Sequence, residues 1–265
     1  MFIEGVHFLR ETHKPAVAGR KALVRGLSDI AAMGAAPRFC LVALCIPAWA
    51  GAKWVDRFFD GILELAAAAG TVLAGGDLSH GETLAADVMV CGAVPRGTAL
   101  LRSGARPGHD IYVSGVLGGS ALGLETRKGK AHLDSKKLKA LQRHLHPEPR
   151  LALGRFLREK LRATSAIDLS DGLSLDLLRV CLASGVAAEI EAPPRFPGAS
   201  LEQALHGGEE YELLFTVPGG TKVPERFEGL RLTRLGSIGR GTPGAVHLDG
   251  KPLAALGYDH FAALK

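Results

Sequence analysis

The chain has 265 residues, of which 47% are hydrophobic and 22% are charged, and its formal net charge is +5 at neutral pH. This composition excludes a disordered chain, because enough apolar side chain is present to offset the entropy lost on ordering. The basic excess is too small to indicate a nucleic-acid-binding protein, and we expect no nucleic-acid partner.

Hydrophobic periodicity predicts helices that alternate with short strands along the chain. Several segments with apolar residues at helical spacing stop at a glycine, which is typical of a helix end. The predicted helices cover 16–33, 54–69, a segment after 119, 138–145, 151–161 and 173–183. The predicted strands cover 39–46, 71–74, 84–94, 111–114, 166–167, 187–190, 211–217, 230–238 and 245–248.

Alternating strands and helices predict an α/β protein with two halves. The turn-forming residues at 102–108 mark the expected boundary, with one domain over 1–104 and a second over 105–265. The first residues show no basic segment followed by an apolar one, and no apolar stretch is long enough to cross a bilayer. The four cysteines form no C-x-x-C pair and lie in apolar surroundings. We therefore expect reduced thiols and a cytoplasmic protein without a membrane partner.

Acidic residues beside glycines are the main candidates for chemistry. Asp77 follows a predicted strand and two glycines, where a ligand can approach the backbone closely. A turn aspartate bonded to its own backbone explains the same pattern equally well. Asp168 and Asp171 lie at a predicted strand-to-helix junction beside Gly172. One of them is an ordinary helix cap, or both bind a hard cation through oxygen, and we favour the cation.

Two further acidic segments are ambiguous when taken alone. Asp29 lies inside a predicted helix, where it is either exposed or buried with a partner or a metal. Residues 207–212 (GGEEYE) form either a surface hairpin turn or a second acidic site. Zinc spacing, a P-loop, a dinucleotide fingerprint and a nucleophile elbow are all absent from the sequence. Any phosphate chemistry would therefore depend on Mg²⁺ bound by carboxylates.

Seven short motifs occur in a fixed order and together span almost the whole chain. They are EGVHF at 4–8, LSDIAAMGA at 27–35, GGD at 75–77, LRSGA at 101–105, IDLSDGL at 167–173, GEEYELLFT at 208–216 and GYDHF at 257–261. In these motifs the chain resembles the thiamine-monophosphate kinases, within the wider superfamily of aminoimidazole ribonucleotide synthetase and selenophosphate synthetase. The resemblance implies a two-domain α/β fold of mixed sheets packed with helices. It also implies a homodimer in which the N-terminal halves, which bind ATP and Mg²⁺, pair their sheets.

The resemblance further implies transfer of the γ-phosphoryl group of ATP to thiamine monophosphate, assisted by several Mg²⁺ ions. The acceptor phosphate is already ionised, so positioning and charge neutralisation are enough for catalysis. The expected Mg²⁺ ligands are Asp29, Asp77, Asp168 and Asp171, of which the last three are also the expected catalytic residues. The expected ATP contacts are Phe59, Gly76, Asp77, Arg102 and Ser170. His7, Glu209 and Tyr258 are expected to contact the thiamine substrate, with Glu209 attracting its cationic thiazolium ring.

Two departures from the family pattern concern the same site. The family has a Gly-Asp-Asp segment and a Thr-Asp pair, both Mg²⁺-binding, ahead of the stretch that matches residues 3–8, and neither is in this sequence. Position 210 is a glutamate where the family has an aspartate. An upstream start codon and a natural truncation both explain the short start. The alternative function is therefore a non-catalytic or weakly active remnant that binds nucleotide or thiamine phosphate. A third possibility, another ATP-using enzyme of the superfamily, is disfavoured by the EGVHF and GEEYEL motifs.

Overall fold

The computed structural model describes residues 1–128 and 134–259. Its N-terminal half is a mixed sheet covered on one face by two long helices. The sheet has the strand order β1-β4-β2-β3, with β2 parallel to β3 and antiparallel to β4. The elements of this half are β1 (Phe2–Ile3), α1 (Pro15–Ala32), β2 (Ala36–Ile46), α2 (Ala52–Ala69), β3 (Val72–His80) and β4 (Ala85–Ala93).

The C-terminal half is a larger mixed sheet with its own helices. The strand order is β12-β11-β7-β10-β5-β8-β6, and β9 pairs with β10 outside this path. The strands are β5 (His109–Ser114), β6 (Ser165–Asp168), β7 (Ala187–Ile190), β8 (Leu213–Pro218), β9 (Arg226–Phe227), β10 (Leu230–Gly239), β11 (Val246–Leu248) and β12 (Lys251–Pro252). The helices are α3 (Gly119–Lys128), α4 (Ser135–Leu145), α5 (Leu151–Phe156), α6 (Leu173–Ser184) and α7 (Leu201–His206). The proposed domain boundary at 104/105 lies between the two sheets.

Local sequence explains where several helices begin and end. Pro15 occupies the first turn of α1, where its missing N–H is not needed. Helix α2 ends at Gly70, whose left-handed φ of 67° is open to glycine without strain. Ser200 and Gln203 form a reciprocal capping box at the start of α7. None of the helices in the described part of the chain is long and apolar enough to cross a membrane.

The two halves share part of their hydrophobic core. Tyr211, which comes from the C-terminal half, is buried in the core of the N-terminal sheet. Ala31 at the end of α1 packs in turn with Leu157 and Phe215. Helix α5 lies so close to α1 that a Cβ on Gly154 would be 1.9 Å from the carbonyl oxygen of Ala31. Helix α1 therefore carries its side chains into the interface between the halves.

The predicted α/β class is confirmed, and most predicted elements are found within a few residues of their expected bounds. Strand β3 differs, because it continues past residue 74 to His80 and places Asp77 within the strand. Its parallel pairing with β2 extends through both glycines, and Asp77 lies opposite Ala43. A Cβ on Gly76, whose φ is 153°, would lie 1.8 Å from the carbonyl oxygen of Val42. Close packing of the two strands therefore explains this glycine without a ligand.

Other differences are small. The predicted helix over 151–161 is α5 followed by a π-helical turn at Leu157–Leu161. Helix α7 and the short strands β1, β9 and β12 were not predicted, because two to six residues show no clear periodicity. In the motif at 257–261, residues 260 and 261 lie outside the described residues.

Candidate active site

A cavity of about 770 Å³ opens between the two halves. Helix α1, strand β4 and residues from the first seven form its N-terminal wall, while α3, His144 and the segments around 168–171, 206–211 and 256–259 form the rest. Seven residues singled out from the sequence line this cavity although they come from five separate motifs. They are His7, Asp29, Asp168, Ser170, Asp171, Glu209 and Tyr258.

Two carboxylates from different halves, Asp29 and Asp168, line this cavity and lie close enough to interact electrostatically. Asp168 ends β6 and is 4% exposed, and its carboxylate accepts a 2.7 Å hydrogen bond from the Ser28 hydroxyl on α1. Burial and the neighbouring charge of Asp29 raise the pKa of Asp168 to about 7. Desolvation also raises the pKa of Asp29, against the nearby charges of Arg102 and Arg25. Such a pair is stabilised by a positive charge between the carboxylates.

Asp171 is held in place by a network from helix α6. Arg179 donates to the carboxylates of both Asp171 and Asp176, each at 2.6 Å. The buried Asp176 also accepts hydrogen bonds from the backbone N–H groups of Asp171 and Gly172. The backbone N–H of Tyr258 donates to the Asp171 carbonyl oxygen at 2.8 Å, which fixes the chain near the C-terminus against this turn. Neither Asp168 nor Asp171 caps α6, whose N-cap residue is Gly172, and both aspartates line the cavity.

Glu209 lies at another wall of the cavity and is paired with a buried lysine. The ammonium of Lys21, which is 0% exposed on α1, lies 2.9 Å from Oε2 of Glu209. Nδ1 of His144 lies 3.5 Å from the same oxygen. Burial lowers the pKa of His144 to about 3, with the Lys21 charge as the next cause, and it lowers the pKa of His13 to about 4. Both rings are therefore neutral at pH 7.

The buried neutral ring of His144 predicts a loss of stability in acid. Its pKa lies below the value of 6.5 for an unfolded histidine, so the unfolded chain binds the extra proton below pH 6.5. Between pH 7.5 and pH 5 this group should cost the wild type about 2 kcal/mol of unfolding free energy. In urea unfolding at both pH values, His144→Gln should lose less stability on acidification by about that amount. An identical pH dependence of the variant and the wild type would show that His144 is protonated in the folded state.

The next two glutamates of the GGEEYE segment belong to a buried ionic network. Glu212 is 0% exposed and accepts hydrogen bonds from Arg150, Arg143 and the Ser114 hydroxyl. Glu210 accepts a 3.0 Å hydrogen bond from Nε of Arg143. The surface-hairpin interpretation of this segment is therefore wrong. The cationic partners of Glu210 and Glu212 lie about 60–70 positions away in the chain, so the local sequence could not indicate this buried network.

Four of the predicted site residues do not line this cavity. Arg102 borders an adjacent cavity of about 360 Å³, which also contacts Asp29 and Asp168. Gly76 and Asp77 lie on the edge strand β3, and Phe59 on α2 packs against the N-terminal core. Because β3 is the far edge of the sheet, Asp77 does not line the cavity of Asp168 and Asp171 within one chain. The simplest expectation from the sequence, one cleft for all three carboxylates, is wrong for the single chain.

The sequence analysis missed a polar stripe on helix α1. Lys21, Arg25 and Ser28 are spaced by four and three residues and therefore share one helix face with Asp29. Lys21 and Ser28 are fully buried, and Arg25 lines the cavity. Polar residues at helical spacing within an apolar helix were the signal that could have identified this wall.

Comparison with known proteins agrees with this arrangement. The family described as AIR synthase related protein, N-terminal domain, matches residues 1–94. The thiamine-monophosphate kinase of Escherichia coli K12 is 40% identical over 98% of this chain and 84% of its own length. The chain belongs to the thiamine-monophosphate kinase family.

Solved structures of thiamine-monophosphate kinases extend the similarity to the fold. A structure described as AaThiL complexed with AMPPCP and TMP superposes with a TM-score of 0.88 at 32% identity, covering 98% of this chain and 85% of the other. The thiamine-monophosphate kinase of Stenotrophomonas maltophilia K279a gives a TM-score of 0.83 at 36% identity, covering 94% and 83%. The similarity therefore covers both sheets.

Proposed function

We propose that the protein transfers the γ-phosphoryl group of ATP to thiamine monophosphate, yielding thiamine diphosphate, with Mg²⁺ as the required cation. The observation that carries this proposal is the pair of interacting carboxylates, Asp29 and Asp168, in a cavity that Glu209 and His7 also line. The complex of a relative with AMPPCP, an ATP analogue, and TMP supports the same pair of substrates.

The side chains in the cavity fit Mg²⁺. Asp29 and Asp168 would hold it, with Asp171 beside them, and all three are oxygen donors. Among residues 1–128 and 134–259, no three His, Cys, Asp or Glu side chains are grouped as a complete metal site. Mg²⁺ commonly binds through one or two carboxylates and completes its shell with substrate phosphates and water. An incomplete protein shell is therefore the expected arrangement before ATP binds.

The residues of the chain divide the work of binding. Ser170 is expected to contact ATP in the main cavity. Arg102 is expected to bind the ATP phosphates from the adjacent cavity, since a guanidinium binds two phosphate oxygens at once. Ser28 and Arg179 fix the carboxylates of Asp168 and Asp171, so neither has to reorient when substrates bind. When bound, Mg²⁺ supplies neutralisation of the phosphate charge. His7, Glu209 and Tyr258 are assigned to the thiamine end.

A direct assay tests this function and its alternative. The purified chain, incubated with ATP, thiamine monophosphate and Mg²⁺, should form thiamine diphosphate, measured by chromatography. Chelation with EDTA should abolish the product, and added Mg²⁺ should restore it. Binding of thiamine monophosphate without any turnover would overturn the proposed kinase activity and support the alternative of a non-catalytic binding protein.

We further propose a homodimer that pairs the open faces of the N-terminal sheets. Helices α1 and α2 cover only one face of this sheet, the face of Cys40, Val42 and Leu44. The other face exposes apolar side chains, including Phe39 and Met89, which are 38% and 48% exposed. By register Asp77 belongs to this open face, because it pairs with Ala43 beside Phe39 and Leu41 on alternate positions of β2. In a dimer Asp77, with Gly76, would then serve the site of the second copy.

Mixing two inactive variants tests the dimer and the role of Asp77 together. Asp77→Asn and Asp168→Asn homodimers should each be inactive. After subunit exchange at a 1:1 ratio, mixed dimers hold one intact site, so activity should return to about a quarter of the wild type. No recovery in a sample shown to contain mixed dimers would place Asp77 in the site of its own chain.

The four cysteines are free, which supports the proposal that the protein works in the reducing cytoplasm.

A further inference from the structure

Both members of the ion pair between Lys21 and Glu209 are held in place by the surrounding structure. Lys21 is fully buried on α1, and its ammonium lies 2.9 Å from Oε2 of Glu209. Glu209 adopts a left-handed backbone with φ of 59°, which is uncommon for a residue with a side chain. Its backbone N–H donates to the Ser170 carbonyl oxygen at 2.8 Å, which ties this conformation to the Asp168–Asp171 segment. The carboxylate therefore has little freedom to move towards or away from a ligand.

Cationic groups from α1 and α3 already surround the carboxylate of Glu209. Lys21 pairs with it directly, and the side chains of Arg25 and Arg127 lie close enough to interact with the same carboxylate. His144, which also contacts it, is neutral. One negative charge thus faces three positive charges from α1 and α3. A cationic thiazolium ring gains little attraction here, so the expected role of Glu209 as an attractor of that ring is not supported.

One oxygen of this carboxylate is buried without a hydrogen-bond partner. In the part of the chain that the structure describes, Oε1 of Glu209 has no hydrogen-bond partner, although Oε2 is fully engaged. The side chain is 23% exposed and lines the cavity. Buried carboxylate oxygens are almost always hydrogen-bonded, so a donor that arrives with a ligand is the natural partner. Because Glu209 is already paired with the ammonium of Lys21, a neutral donor suits Oε1 better than a second cation.

We infer that Lys21 is a positioning residue that holds Glu209 as a hydrogen-bond acceptor for a neutral N–H group of the substrate. Resting on the proposed function, the inference names that group, because thiamine monophosphate carries only one kind of N–H donor, the amino group on its pyrimidine ring. The pair thereby selects ligands with an amino-substituted ring. Its contribution is to recognition of the substrate and not to the transfer step.

Binding of two ligands that differ only in this amino group tests the inference. The probes are thiamine monophosphate and its desamino analogue, in which hydrogen replaces the amino group. Dissociation constants are measured by calorimetry with the full chain, Mg²⁺ and AMPPCP, so that no turnover is needed. The wild type should prefer thiamine monophosphate by roughly tenfold to a hundredfold, as for a hydrogen bond to a charged acceptor.

Three variants separate the role of Glu209 as hydrogen-bond acceptor from the role of Lys21 in positioning it. Glu209→Gln keeps the shape but not the charge and should reduce the preference to about threefold or less. Lys21→Met should reduce the preference while leaving kcat at saturating substrate close to that of the wild type. The double variant Lys21→Met/Glu209→Met removes the pair as a unit, leaves no unpaired buried charge and should show no preference. Glu225→Gln, an exposed charge removal in the same half, is the matched control and should behave as the wild type.

The outcomes distinguish this inference from the proposed function. Equal affinity of the wild type for both ligands, or an unchanged preference in the double variant, overturns the role of Glu209 even if thiamine diphosphate is formed. An unchanged preference in folded Lys21→Met overturns the positioning role of Lys21. If Lys21→Met does not fold, the double variant still decides whether the pair provides the preference. Failure of the wild type to bind either ligand overturns the inference together with the proposed substrate.

Discussion

Asp168→Asn is expected to abolish phosphoryl transfer while leaving the fold at least as stable as the wild type. The carboxylate is buried beside Asp29, and burial with that neighbouring charge raises its pKa to about 7. Above pH 7 the buried negative charge of Asp168 therefore lowers the unfolding free energy, and the neutral amide removes this loss of stability. The amide also keeps an oxygen that can accept the Ser28 hydrogen bond.

The loss of activity should be large, because the substitution removes charge at the position where Mg²⁺ would be held. We expect kcat/KM for thiamine monophosphate to fall by about 10²–10³-fold, as when one preorganised electrostatic contact is lost. Urea unfolding at pH 8 with EDTA measures the stability, and a coupled assay measures the turnover. Asp249→Asn, at an exposed left-handed position that asparagine also accepts, is the matched control. If the variant retains more than about a tenth of wild-type activity, Asp168 has no essential role in phosphoryl transfer.

Glu212→Gln is expected to cost the protein about 3–5 kcal/mol of unfolding free energy, without any direct contact with the cavity. Although burial opposes ionisation, Arg150 and Arg143 hold the pKa of Glu212 below its usual value. The amide removes the buried negative charge that both guanidinium groups share, and it leaves Arg143 with Glu210 and Arg150 with the exposed Glu148. Losing one buried member of such a network costs more than the intact interaction contributes to stability.

A neighbouring glutamate provides the control for this experiment. Glu148 lies 3.4 Å from Arg150 but is 69% exposed, so Glu148→Gln should change the unfolding free energy by less than about 1 kcal/mol. Urea denaturation at pH 7.5 compares both variants with the wild type. A loss below about 1 kcal/mol for Glu212→Gln would mean that water or another acidic group compensates the two arginines.

The sequence by itself determined most helices and strands, because their signals are local. The helix predicted over 16–33 is α1, and its end at Gly34 follows from the left-handed conformation that glycine adopts there. The strand predicted over 187–190 is β7 with the same bounds. The motifs likewise contain the seven predicted site residues that line the cavity, since the family resemblance rests on these residues and not on their neighbours in space.

Only the tertiary structure decided which acidic residues act together. Glu209, Glu210 and Glu212 are the same residue type within four positions of the chain. Glu209 nevertheless pairs with Lys21 at the cavity, whereas Glu212 is buried and bonded to two arginines. Strand pairing, and not the glycines before it, decided that Asp77 lies in the middle of an edge strand. Charge interactions act through space over a few ångströms, whereas Lys21 and Glu209 are 188 residues apart in the chain. Local sequence patterns record burial and turns, but the partner of a buried charge is fixed only when distant segments pack together.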